Sequence, residues 1–93
     1  AVHKSAVIEN EVLIIDSVVG ENVRIASGAS IRHSVLLPGA VIQSGAHVEN
    51  SLVMGTVGSG ASIERCIVGA DGSVPADFSA TDTKFPSEDK STT

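Results

Sequence analysis

Three histidines and one cysteine are the residues of this chain that could do chemistry. His3, His33 and His47 could bind zinc or act as general bases, because imidazole is a metal ligand and titrates near neutral pH. Cys66 could act as a nucleophile, but only in an open and electropositive setting. Each possibility depends on which of these side chains the fold brings together, and the repeated elements of the chain determine that.

The chain repeats with a constant period. Ser17, Ser34 and Ser51 follow one another at equal steps of seventeen positions, and each stands between a polar residue and an aliphatic one. A fourth triplet of this kind is centred on Cys66, after a step that is two positions shorter. A fixed period of this length is typical of a solenoid built from repeated units.

Each period divides into units of six, six and five residues. Large aliphatic side chains mark these units at Val2, Ile8, Ile14, Val19, Ile25, Ile31, Leu36, Ile42, Val48 and Val53. A smaller residue precedes most of them by two positions, and residues two apart share one face of a strand. The pattern lacks the i, i+3, i+4 spacing of a helix. We therefore predict an all-β fold, a single-stranded parallel β-helix of hexapeptide repeats with about 4.5 coils.

We expect this β-helix to span residues 1–78 and a polar tail, disordered in part, to span residues 79–93. The aliphatic pattern stops after Pro75, and the last residues are mostly polar or charged. The step from Val53 to Val57 is two positions shorter than the usual six, so we predict a tightened corner around Gly55. A narrow prism filled by small aliphatic residues explains why Phe78 and Phe85 are the only aromatic side chains.

Composition excludes several classes of function. The formal net charge of −5 argues against nucleic acid as a partner, since nucleic-acid binding needs a basic surface. No stretch is apolar for long enough to cross a membrane, and no signal peptide is evident, so we expect a cytoplasmic protein. A single cysteine excludes an internal disulfide.

The repeat also decides the chemistry. The three histidines fall at different positions of the period, so they should not converge on one metal within a chain. A zinc site shared between chains stays open as an alternative. Cys66 takes the position of the repeated serines, which points inward, so we interpret it as a small core residue. Glu9 and Glu11 lie at a predicted turn and should be solvated. We predict no catalytic, cofactor-binding or metal residue in this chain.

One outward column is apolar in every coil. It consists of Val18, Val35, Leu52 and Ile67, flanked by Leu37 and Met54. The outward column of the neighbouring side is mixed, with Leu13, Ser30, His47 and Ser62. An exposed apolar stripe often marks a contact surface, although β-branched residues also favour strands for their own sake. We predict that these six residues form an interface.

The sequence resembles the C-terminal left-handed β-helix of sugar-nucleotide pyrophosphorylases over about residues 2–78. The likeness rests on five segments, 16–31, 33–42, 49–54, 63–69 and 74–76. It is greatest to glucose-1-phosphate adenylyltransferase, with mannose-1-phosphate guanylyltransferase close behind. The resemblance implies the left-handed winding, a structural and oligomerising role that extends to allosteric effector sites, and a place in glycogen or starch synthesis.

The same resemblance assigns catalysis to an N-terminal nucleotide-binding domain that has no counterpart in this sequence, so this domain is the expected partner. Mg²⁺ is expected in that domain and no cofactor is expected in this chain. The second hypothesis is a fragment of a hexapeptide-repeat acyltransferase, which would form a trimer with a histidine facing the cleft between chains. A zinc trimer resembling carbonic anhydrase is disfavoured by the positions of the histidines.

Overall fold

The computed structural model describes residues 2–85, and in this range the chain forms a parallel β-helix. Its fifteen short strands are β1 (Val7–Ile8), β2 (Leu13–Ile15), β3 (Val18–Val19), β4 (Arg24–Ile25), β5 (Ser30–Arg32), β6 (Val35–Leu36), β7 (Val41–Ile42), β8 (His47–Glu49), β9 (Leu52–Val53), β10 (Thr56–Val57), β11 (Ser62–Glu64), β12 (Ile67–Val68), β13 (Ser73–Val74), β14 (Ser79–Thr81) and β15 (Lys84–Phe85). Within the described residues no helix is long and apolar enough to span a membrane.

The strands form the three sides of a prism, each a parallel sheet with five strands. The first sheet has the order β1-β4-β7-β10-β13, the second β2-β5-β8-β11-β14 and the third β3-β6-β9-β12-β15. Each strand from β1 to β12 therefore pairs with the strand one coil later, for example Ile14 with Ile31 and Ile31 with Val48. The predicted all-β hexapeptide solenoid is confirmed, with about five coils.

The core is a set of stacked aliphatic columns inside the prism. Ile31, Leu36 and Val53 are 0% exposed, and Ile25 and Ile42 are 1% exposed. Because each coil rests on its neighbours, burying one such side chain contributes about 1.5–3 kcal/mol. In the first described coil the inward residues Val2 and Ile8 are 48% and 38% exposed. The predicted inward and outward alternation is confirmed.

Left-handed backbone conformations make the corners. Gly28, Gly39, Gly45 and Gly60 have positive φ, in the glycine-containing turns that the sequence predicts between strands. The corner between the second and third sheets uses no glycine at all. Its five positive-φ residues are Asp16, His33, Asn50, Arg65 and Asp82. Asp, Asn and His tolerate this conformation better than most residues, which accounts for Asp16, His33 and Asn50 among the four residues that open the repeated triplets.

A ladder of hydrogen bonds runs up the prism beside this corner. The Ser17 hydroxyl accepts from the backbone N–H of Ser34 at 3.1 Å, and the Ser34 hydroxyl accepts from the N–H of Ser51 at 3.1 Å. Each hydroxyl also donates to a carbonyl two residues earlier, as Ser34 does to Arg32 at 2.7 Å. These buried serines therefore bond one coil to the next, a role beyond the small inward residue that the sequence predicted.

The shortened corner lies at Gly55, as predicted. Thr56 pairs with Val41 and Val57 with Ile42, so the register here is two residues shorter than elsewhere. Gly55 is buried, and a Cβ on it would collide with the carbonyl oxygens of Gly69 and Gly72. Only glycine can stand there, because the residue serves at once as a corner and as an inward position.

The predicted end of the β-helix at residue 78 is wrong. Strands β14 and β15 continue the second and third sheets as far as Phe85. The prediction failed because the last coil has Ala80 where the coil below has Ile63, and Lys84 where it has Ile67, while its backbone keeps the repeat. The remainder of the predicted tail, residues 86–93, lies outside the described residues.

Candidate assembly interface

The predicted apolar column stands in register on the outer face of the third sheet. Val18 pairs with Val35, Val35 with Leu52, and Leu52 with Ile67. The residue after each of them points inward and is buried, with exposures between 0% and 2% for Val19, Leu36, Val53 and Val68. The four side chains therefore point away from the prism interior, one above another.

Exposure along this apolar column is greatest at its two ends. Val18 and Ile67 are each 47% exposed, whereas Val35 and Leu52, which lie between aliphatic residues of the coils before and after them, are half-buried. Leu37 is half-buried and Met54 is 37% exposed at the adjoining corner, where they widen the apolar surface. The six predicted interface residues thus share one side of the molecule. Whether a partner covers them stays a prediction.

Lys84 ends the column, although it was not among the six residues predicted for the interface. It pairs in register with Ile67 and is exposed. Its position could have been read from the sequence, because Lys84 follows Ile67 by one full period. The column is therefore apolar over four coils and cationic in the fifth.

Polar and charged side chains border the column along the corner between the second and third sheets. The Arg65 guanidinium donates to both carboxylate oxygens of Asp82, at 2.8 and 3.1 Å, and to Glu64 at 3.0 Å. The hydrogen bond from Arg65 holds the pKa of the Asp82 carboxyl below its ordinary value, and the bond to Asp82 raises the pKa of Arg65. An apolar strip with a charged margin is the usual anatomy of a protein interface.

The histidines lie at three different places around the prism, as their positions in the repeat predict. Nε2 of His3 lies 4.0 Å from Glu21, and Nδ1 of His33 lies 3.7 Å from Asp16. His47 stands on the outer face of the second sheet. No group of three or more His, Cys, Asp or Glu side chains within residues 2–85 could hold a metal ion.

Cys66 is buried in the column of the serines, as predicted. It is 1% exposed, its N–H donates to the Ser51 hydroxyl at 3.1 Å, and its thiol donates to the Glu64 carbonyl at 3.3 Å. A thiol enclosed in this way cannot reach a substrate without local unfolding. Its place in the ladder makes it a structural residue.

Two shallow grooves lie on the other two sides of the prism. One, of about 280 Å³, runs over the second sheet and is lined by Ser30, Arg32, His47 and Glu49. The other, of about 180 Å³, crosses the first sheet beside Arg24, Val41 and Gln43. The grooves mix polar and apolar side chains, and none of the residues that line either groove belongs to the six predicted for the interface.

The fold and the outer column define a hexapeptide-repeat β-helix protein, the class whose members wind left-handed. The chain belongs to the family described as GlmU-like, C-terminal hexapeptide, whose model matches residues 1–85. This match includes the last coil, which agrees with the strands observed up to Phe85.

Among solved structures, the chain is similar to a histidine-to-asparagine mutant of perosamine N-acetyltransferase from Caulobacter crescentus, in complex with CoA and GDP-perosamine. The identity is 22% and the TM-score 0.65, and the match covers 99% of this chain and 56% of that chain. A histidine-to-alanine mutant of GDP-perosamine N-acetyltransferase from the same organism matches at 22% identity with a TM-score of 0.42, covering 87% of this chain and 52% of that one.

These comparisons support the family resemblance seen in the sequence only at a broader level. They identify the C-terminal hexapeptide domain of a GlmU-like family and do not single out glucose-1-phosphate adenylyltransferase. The chain spans about half the length of the acetyltransferase chains that it resembles. No curated protein matches the chain.

Proposed function

We propose that this β-helix is the structural and oligomerising domain of a cytoplasmic sugar-1-phosphate nucleotidyltransferase, with glucose-1-phosphate adenylyltransferase as the first choice and mannose-1-phosphate guanylyltransferase as the next. In this proposal an N-terminal catalytic domain binds the nucleotide and Mg²⁺, and the β-helix holds subunits together and contributes to effector binding. The observation that carries the proposal is the outward apolar column of Val18, Val35, Leu52 and Ile67.

The column has the properties of a contact surface. Four coils each place an aliphatic side chain at the same outward position, whereas the same coils of the second sheet place Leu13, Ser30, His47 and Ser62 there. Strand propensity acts on all three sheets alike, so it does not account for this difference. Covering the column would remove apolar surface from water, at about 25 cal/mol per Å².

The experiment replaces the centre of the column with charge. In the double variant Val35→Lys and Leu52→Lys we expect a folded β-helix whose self-association is at least about tenfold weaker, because the interface would have to desolvate two ammonium groups. Analytical ultracentrifugation over a range of concentrations measures the association. The matched control is Ser30→Lys with His47→Lys, which places two lysines in the same coils on the second sheet.

Two results would contradict the proposal. One is an unmodified chain that sediments as a monomer at every concentration tested. The other is equal weakening by both double variants, which would indicate a general effect of charge. Circular dichroism of each variant confirms that the β-helix is still folded.

A second candidate, acyl transfer, is favoured by one observation. The chain shares its fold with an N-acetyltransferase solved with CoA, and His33 lies beside the carboxylate of Asp16, an arrangement that could orient an imidazole as a general base. This candidate predicts acetylation of an amino-sugar nucleotide by acetyl-CoA and its loss in His33→Asn. The first candidate predicts that the purified chain transfers neither acetyl nor nucleotidyl groups, and mass spectrometry of the products separates the two.

A further inference from the structure

The apolar column on the third sheet has a polar margin on one side. Along the corner toward the second sheet it is bordered by the positive-φ residues Asp16, His33, Asn50 and Arg65, one for each residue of the column. Backbone bonds hold these corner residues one coil apart, as from the N–H of Asn50 to the Arg32 carbonyl at 3.0 Å. The polar margin therefore runs beside the whole length of the apolar column.

The margin on the other side, toward the first sheet, is apolar. It consists of the residues that directly follow the buried positions of the third sheet, which are Gly20, Leu37, Met54 and Gly69. The N–H groups of Leu37 and Met54 donate to the next coil, to the carbonyls of Val53 and Val68, so these residues too lie one coil apart. The large side chains of this apolar margin belong to the two middle coils, and glycine stands at both of its ends.

The two margins restrict how two copies of the chain can cover each other's column. With parallel prism axes, each coil would face the same coil of the other copy, and the polar margin of one copy would face the apolar margin of the other. His33 would then stand against Leu37 and Asn50 against Met54, which sets polar groups against apolar side chains. The Lys84 ammonium groups in the fifth coils would also face each other, and such a meeting of like charges opposes association.

We propose that the third sheet binds the third sheet of a second copy of this chain with the two prism axes antiparallel. The two-fold axis lies along the strands and passes midway between Val35 and Leu52. This inference rests on the proposed function, since it names the partner and the orientation for the same apolar column. Val18 then faces Ile67 of the second copy, and Val35 faces Leu52 of the second copy, so the four aliphatic residues cover one another.

Antiparallel axes bring the apolar margin against itself. Leu37 faces Met54 of the second copy, and the two-fold axis makes this contact occur twice. The glycines at the two ends of the margin face each other. Glu21 and Asp71 follow those glycines on the side of the corner that turns toward the first sheet, which takes their carboxylates away from the facing copy. The Lys84 residues of the two copies are separated by five coils, roughly 24 Å along the axis.

The polar margin is also complementary to itself in this orientation. Asp16 faces Arg65 of the second copy, so a carboxylate meets a guanidinium, again twice in the dimer. Arg65 can take this further partner. Its Nη1 donates to Glu64 at 3.0 Å and its Nη2 to Asp82 at 3.1 Å, and each of these nitrogens carries a second N–H group. The charges along the margin therefore favour the antiparallel dimer over the parallel one.

The test determines the relative direction of the two axes by cross-linking the full chain. Two variants, Val18→Cys and Ile67→Cys, each also carry Cys66→Ser, so that each has a single thiol. Packed sheets lie roughly 10 Å apart, so a bis-maleimide of that reach joins thiols that face each other but not thiols displaced by a further three coils, roughly 14 Å along the axis. In an equimolar mixture, at a concentration where the unmodified chain associates, mass spectrometry should find the two variants linked to each other at least about tenfold more often than either is linked to itself.

The matched control places single thiols in the same two coils on the second sheet. Leu13→Cys and Ser62→Cys, again with Cys66→Ser, stand in the mixed outward column of that sheet. Their cross-links should be few and should follow the proportions of random collision. Circular dichroism of all four variants confirms that the β-helix is folded.

Three outcomes would overturn the proposal. Preferential linkage of each third-sheet variant to itself would mean that the prism axes are parallel. Random linkage, as expected for the control, would mean that the column does not hold two copies in one orientation. Either result, in a chain whose association is weakened by Val35→Lys with Leu52→Lys, leaves the proposed function standing. A chain that stays monomeric at every concentration would remove the proposed function and this inference together.

Discussion

At the scale of single residues, the interior serines do more than fill space. The Ser34 hydroxyl accepts from Ser51 in the next coil and donates to Arg32 in its own coil. No buried side-chain nitrogen or oxygen among the described residues lacks a hydrogen-bond partner. A polar column inside a narrow apolar prism is stable only under that condition, because each unpaired buried group would cost about 1–3 kcal/mol.

Ser34→Ala should therefore destabilise the fold by about 1–3 kcal/mol, since the buried N–H of Ser51 loses its acceptor and the carbonyl of Arg32 keeps only the N–H of Asn50. Urea titration measures the change in the free energy of unfolding. The control is Ser44→Ala, which removes an exposed hydroxyl that donates to the Ser27 carbonyl and should cost less than about 0.5 kcal/mol. Equal losses in the two variants would mean that the ladder contributes nothing beyond an ordinary surface bond.

The pair of Arg65 and Asp82 should make part of the stability depend on pH. The hydrogen bond from Arg65 lowers the pKa of the Asp82 carboxyl in the folded state, so folding favours the ionised form. The stabilisation is complete above the pKa of the unfolded chain, about 3.9, and is lost as the pH falls through the lower folded value.

Asp82→Asn should accordingly lower the melting temperature slightly at pH 7, and this difference should fall away towards about pH 2 as the Asp82 carboxyl takes up its proton. Differential scanning calorimetry at the two pH values checks this. Asp71→Asn, which removes another exposed carboxylate of the same coil, is the control. A difference between Asp82→Asn and the unmodified chain that persists at low pH would contradict the assignment.

At the scale of the strands, the alternation of inward and outward residues fixes what each substitution costs. Ile31 in β5 is 0% exposed and is packed between coils, so Ile31→Ala should cost about 2–4 kcal/mol. Ser30→Ala, one residue earlier and outward, should cost under about 0.5 kcal/mol. Ile14→Ala, in the same column but half-buried in the first coil, should fall between them. If denaturant titrations gave equal losses in the free energy of unfolding for Ile31→Ala and Ser30→Ala, the assignment of inward and outward positions in this strand would be wrong.

The strands also show how far the sequence could predict the structure. Ile25, Ile31 and Ile42 could be placed inside, because an aliphatic residue about every six positions matches the inward position of each unit in a hexapeptide solenoid. The last coil could not, because Ala80 and Lys84 stand where the coil below has Ile63 and Ile67, and their strands depend on backbone pairing with that coil. The place of Val35 in the outward column was equally predictable, but the period of the sequence alone does not determine which partner covers it.

At the scale of the whole molecule, the fold is close to one-dimensional. Each strand pairs only with the strands of the coils next to it, with registers of one coil throughout. The stability of such an array is a sum over the coils and the contacts between them. The first coil, in which Val2 and Ile8 are partly exposed, contributes least to it.

The direction of the backbone bonds between coils has a mechanical consequence. Bonds such as Val35 to Ser51 and Leu52 to Cys66, at 3.0 Å each, run along the axis of the prism. A force that pulls the two chain ends apart along this axis would load the bonds of one coil at a time. The terminal coil would lose its bonds to the next coil and extend before that coil is loaded. Each full coil would release roughly 60 Å of extended chain, and the shorter fourth coil roughly 50 Å. The tensile strength of the prism is thus that of a single coil, however many coils are stacked.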